Sequence, residues 1–139
     1  MSDASSLERF VTAQAPVMAA VLEELRAGRK RTHWMWFVFP QLRGLGVSST
    51  AQFYGLAGLD EAAAFAAHPV LGPRLFDCTR AVLDCGEPSL HAIFGSPDDM
   101  KFRSCMTLFD IITPGGPYDA ALDHFFGGER DKRTLELLA

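Results

Sequence analysis

Only three cysteines occur among the 139 residues, Cys78, Cys85 and Cys105, and none stands in Cys-x-x-Cys spacing. An odd number cannot all pair within the chain. If Cys78 and Cys85 share a helix, the rise between them is about 10 Å, beyond the Cα reach of a disulfide, usually under about 7 Å. Reduced thiols in a cytoplasm are the expectation. The four histidines, His33, His68, His91 and His124, include no His-x-x-x-His or His-Glu-x-x-His pair. No metal site and no cofactor is therefore expected. A Gly-x-Ser-x-Gly elbow is missing, as is a lysine where a phosphate-binding loop needs one. The start, Met1-Ser2-Asp3-Ala4-Ser5-Ser6, has neither a basic stretch nor an apolar region and reads as no secretory signal. The most apolar run, Trp34–Phe39, is far short of the ~20 residues of a membrane helix. Basic residues number 13 against 17 acidic, a net charge of −4, which argues against nucleic acid or an anionic membrane as the main partner.

Strand signals are equally sparse. No segment alternates with period two, and no Asn-Gly or Asp-Gly turn is present. Helical spacing, by contrast, recurs along the chain. Ser5 and Glu8 have capping-box spacing at the head of a helix near 5–14, and a second is expected to start at Pro16 and end at Gly28. Ser48 or Ser49 can cap a helix holding Ala51, Phe53 and Tyr54, and Asp60 one over 61–67. Leu71, Leu75, Cys78 and Val82 form a 3.6-residue stripe on a helix ending near Cys85. A short piece follows at 90–94. Ser96-Pro97-Asp98-Asp99 combines a capping serine, an N1 proline and two carboxylates at the start of a helix reaching Thr113. Further helices are expected over 118–126 and from Asp131 to the end. Trp34–Phe39 fits either a buried strand or a buried turn of helix. With 48% hydrophobic and 22% charged residues and no composition break, residues 1–139 read as a single compact all-α domain of seven or eight short helices.

Two features carry chemistry. Four of the 13 basic residues, Arg26, Arg29, Lys30 and Arg31, lie within six positions and run through His33 into Trp34 and Trp36. Cations neutralise phosphate and an indole stacks on a base or holds a cation at its face. The same residues also suit a solvated loop followed by core tryptophans. The second feature is Lys101. On a wheel of about 100° per residue, Cys105, Phe109, Phe102 and Ile112 all fall within about 100° of it, so this lysine stands inside the apolar arc. It either snorkels to water or meets a buried anion. The cysteines fall on apolar helix faces, where they read as small hydrophobes.

The blocks His33-Trp34-Met35-Trp36-Phe37-Val38-Phe39-Pro40-Gln41, Gly44-Leu45-Gly46, His68-Pro69-Val70-Leu71-Gly72-Pro73-Arg74-Leu75 and Lys101-Phe102-Arg103-Ser104-Cys105-Met106 resemble the bacterial family known as domain of unknown function 1810. The resemblance runs from Leu7 to Leu135 and implies a small helical domain with no established activity. The calpastatin label such proteins carry does not fit, because calpain inhibitors are disordered and repetitive. A fainter similarity, through the Ala-rich helix, the His68-Pro69 turn and Met100-Lys101-Phe102, is to helical N-glycosidases acting on ADP-ribose-type nucleotides; no catalytic residue is carried over from it. Three readings follow. One is a domain binding a small anionic or nucleotide-like molecule through His33, Trp34, Trp36, Arg74, Lys101 and Ser104. Another is a hydrolase of a ribosyl N-glycosidic bond, with a carboxylate as base and Lys101 on the phosphate. The third is a structural or protein-interaction module with both tryptophans in the core.

Overall fold

A computed structural model describes residues 3–139, with side chains from Leu7 onward, so the expected Ser5–Glu8 capping pair lies outside the described residues. Among the described residues the chain forms ten α-helices, a 3-10 turn at 43–45, and no strand beyond one isolated parallel bridge, Leu42 to Leu56. The helices are α1 (Asp3–Gln14), α2 (Met18–Arg26), α3 (Met35–Val38), α4 (Ser49–Tyr54), α5 (Leu59–Ala67), α6 (Leu71–Asp84), α7 (Leu90–Phe94), α8 (Asp98–Ile112), α9 (Pro117–Phe126) and α10 (Lys132–Leu138). Ten rather than seven or eight reflects one-turn pieces such as α3, which resolves Trp34–Phe39 in favour of helix.

Local signals act where the sequence places them, with some shifts. The Oγ of Ser48 accepts from the Ala51 N–H at 3.1 Å and that of Ser89 from Ala92 at 3.1 Å, while the Asp131 carboxylate accepts from Thr134 at 3.0 Å. Each satisfies a donor the first helical turn leaves open. Gly28, with φ of +74°, takes the left-handed position after α2. Three expectations move. Pro16 and Val17 stay in the turn before α2, Gly58 rather than Asp60 precedes α5, and Pro97 rather than Ser96 stands at the N-cap of α8. In the last case the Pro97 carbonyl accepts from Met100 and Lys101, so helical bonding begins one residue later than a serine cap requires.

The interior is aromatic. Phe39 and Phe94 each lie 5.1 Å from Phe102, and Phe10 and Phe109 flank Phe65 at 5.1 and 5.5 Å. Edge-to-face and offset pairs of this kind add about 0.5–1.5 kcal/mol each beyond area burial. Helix α8 supplies Phe102, Cys105, Met106, Leu108 and Phe109 to this core and packs against α5, α7, α9 and α10. Near the start of α8, Lys101 stands half-buried at the edge of this core.

Candidate functional site

Helix α3 divides the tryptophans. Trp34 is 1% exposed and its indole N–H donates at 2.9 Å to Glu24 of α2. The same carboxylate accepts from the Arg31 N–H at 2.7 Å, the Thr32 N–H at 3.1 Å and the Thr32 hydroxyl at 2.7 Å. Burial pushes the Glu24 pKa up, but the hydrogen bonds, led by Arg31 and Trp34, outweigh it and hold the group down at about 2. Trp34 is therefore a core residue that anchors the basic loop 29–33, and the expectation that it lines a binding site is corrected: its ring packs 6.2 Å from Phe39 and 6.4 Å from Phe94.

Trp36 is only half-buried, and its indole N–H meets no acceptor among the described residues. The Lys101 Nζ stands 4.7 Å from its ring centroid, a cation held at an aromatic face. Lys101 also lies 3.5 Å from Asp98 Oδ1, and Lys30 lies 3.0 Å from Asp98 Oδ2. Two ammonium groups around one carboxylate leave a surplus positive charge. Lys30 is the more deeply held, its side chain 9% exposed against 21% for Lys101. The lysine inside the apolar arc thus reaches outward, and its anionic partner, Asp98, is half-buried rather than buried. The lysine stem follows the core edge, and its ammonium reaches a carboxylate and an open cleft.

That cleft, of about 610 Å³, lies between α8, the 43–48 segment and the start of α10. Trp36, Lys101 and Ser104 line it, together with Gln41, Val47, Met100 and Arg133. Ser104 donates to the Met100 carbonyl at 3.2 Å, which ties its hydroxyl to the helix. Arg133 is exposed and has no ion-pair partner among the described residues. Met100 is 48% exposed and Val47 99% exposed, so apolar side chains stand at the mouth. The other expected residues lie elsewhere. His33 is exposed in the turn before α3 and is not among the cleft residues. Arg74 sits on α6 and reaches Gln14 of α1 at 3.4 Å. No local pattern in the sequence marks Val47 or Arg133, since each joins the cleft only through tertiary approach.

Elsewhere the surface offers less. A groove of about 470 Å³ between α2 and α6 is lined by Arg26, Asp77, Arg80, Ala81, Asp84 and Cys85, with balanced charge and no aromatic face. Burial pushes the Cys78 thiol up to about 12, and Cys105 well above its ordinary value, so neither is a ready nucleophile. Among the described residues no group of three or more His, Cys, Asp or Glu side chains is placed to hold a metal ion, and no helix is long and apolar enough to cross a membrane.

Comparison with known proteins places the chain in a family. A crystal structure of the conserved hypothetical protein Rv1873 from Mycobacterium tuberculosis is similar at 55% sequence identity, covering 95% of each chain with a TM-score of 0.93. No curated protein matches. The family described as "Protein of unknown function (DUF1810)" matches residues 4–138, and the chain belongs to it.

Proposed function

We propose that this protein binds a small, phosphorylated, ring-bearing molecule of nucleotide type in the cleft beside Trp36. The observation that carries the reading is the Lys101 ammonium, 4.7 Å over a half-buried indole, on the wall of a cleft of about 610 Å³. A flat ring finds a stacking surface in Trp36, and an anionic group finds Lys101 and Arg133, which has no ion-pair partner among the described residues. Asp98 supports this arrangement. Because Lys30 already neutralises it at 3.0 Å, an incoming phosphate can draw Lys101 away without leaving the carboxylate unpaired. A hydrolytic role has less to stand on, since Asp131, the carboxylate lining the cleft, holds Thr134 through Oδ2 as a helix cap.

The test is a thermal-shift screen against nucleotides and sugar phosphates. A ligand present at a hundred times its dissociation constant adds about 2.7 kcal/mol of stability. Lys101→Met is expected to remove that shift while leaving the stability of the free protein within about 0.5 kcal/mol, because Asp98 keeps Lys30. A full set of nucleotides and sugar phosphates that leaves the melting temperature unmoved overturns the reading.

A further inference from the structure

The 41–56 region sets one polar side chain, Gln41, at the cleft. The Gln41 carbonyl accepts from the Leu56 N–H at 2.9 Å, and the Arg43 N–H donates to the Leu56 carbonyl at 2.8 Å. Gly55 permits this close pairing, since a Cβ there would stand 2.4 Å from the Arg43 Cα. The backbone at Gln41 and just after it is thus pinned. Its side chain is half-buried, lines the cleft beside Trp36 and Lys101, and makes no hydrogen bond among the described residues. The amide is open to the cleft rather than tied to the protein, so its donor and acceptor are available to a bound molecule. An amide offers a donor and an acceptor side by side. Its complement on a flat ring is an edge where an amino group stands next to a ring nitrogen, the edge that glutamine reads bidentately on adenine.

We infer that Gln41 is the specificity-determining residue of the cleft, reading the edge of an adenine-type ring (an amino group beside a ring nitrogen) stacked on Trp36. This rests on the ligand-binding reading given above and adds the class of ring. Val47, 99% exposed at the mouth, and Met100 supply apolar contact for the same ring. The ribose phosphate then extends toward Lys101 and Arg133.

The experiment compares three probes by calorimetric titration: adenosine 5′-monophosphate, purine riboside 5′-monophosphate, which lacks only the amino group, and ribose 5-phosphate. With the native protein, loss of the amino group is expected to weaken binding about tenfold, within the range for one bidentate amide–base pair. In Gln41→Leu the two purine compounds are expected to bind alike, and in Gln41→Glu, whose carboxylate still accepts from the amino group but no longer donates to the ring nitrogen, the preference is retained while both purines bind more weakly. Unchanged melting temperatures of both variants show that the fold is intact. Equal binding of the two purines by the native protein, or a preference that survives in Gln41→Leu, overturns the inference. Ribose 5-phosphate binding as tightly as the nucleotide overturns it while leaving the anion site standing. Failure of all three probes overturns the ligand-binding reading itself.

Discussion

Glu24 holds the basic loop to the core, and its contribution is open to measurement through pH. The carboxylate is 8% exposed and accepts four hydrogen bonds, from Arg31, Trp34 and twice from Thr32. Its pKa falls from an ordinary 4.5 to about 2 in the folded protein. At about 1.4 kcal/mol for each pH unit, the depression corresponds to about 3 kcal/mol of stability. A depressed carboxylate pKa sets the sign. The contribution is complete above pH 4.5, the unfolded value, and is lost as pH falls through the folded value near 2. Glu24→Gln is the perturbation, because the amide is neutral at every pH and turns its own N–H groups toward donors. Urea unfolding followed by far-UV circular dichroism at pH 7, 5, 4 and 3 gives the gap between native and variant. That gap is expected to be about 3 kcal/mol at pH 7 and to shrink to less than half by pH 3. A gap that is the same at pH 7 and pH 3 refutes the hydrogen-bond account of this carboxylate.

Other consequences follow from packing. Phe102→Ala removes a fully buried ring that touches Phe39 and Phe94, and is expected to cost about 3–5 kcal/mol in urea unfolding. Gly72→Ala places a Cβ 2.2 Å from the Ala66 carbonyl oxygen, where α6 starts against the end of α5, and should lower stability by about 1–3 kcal/mol in the same assay. Thiol titration of the native protein near pH 8 should modify the half-buried Cys85 alone, with Cys78 and Cys105 reacting only after unfolding. Rapid labelling of all three in the native state contradicts the burial assigned to them.

Periodicity and caps made most of the helices legible, because α4, α6, α7, α9 and α10 each begin or end on a residue whose local chemistry stops or starts a helix. The central ambiguity was Trp34–Phe39. Six apolar side chains in a row say that the segment is buried, but not which of two tryptophans two positions apart keeps an edge in water. A single helical turn decides that, by sending Trp34 to Glu24 and leaving Trp36 beside Lys101. Lys101 was legible from its own helix, since the wheel depends on spacing alone. His33 and Arg74 were not, because their neighbours in the chain say nothing about the angle at which α6 and the 29–33 loop meet α8. Gln41, Val47 and Arg133 come from three separate segments, and their convergence depends on the Leu42–Leu56 bridge and on how α10 docks. No local pattern encodes either.

Everything proposed about function rests on the cleft between Trp36 and Lys101 being the place where a ligand sits. Calorimetric titration of adenosine 5′-monophosphate into the native protein, Trp36→Leu and Lys101→Met tests this directly. Saturable binding by the native protein, weakened at least tenfold in each variant with the fold intact, is the predicted result. Native-like affinity in both variants would place the ligand elsewhere and contradict the account.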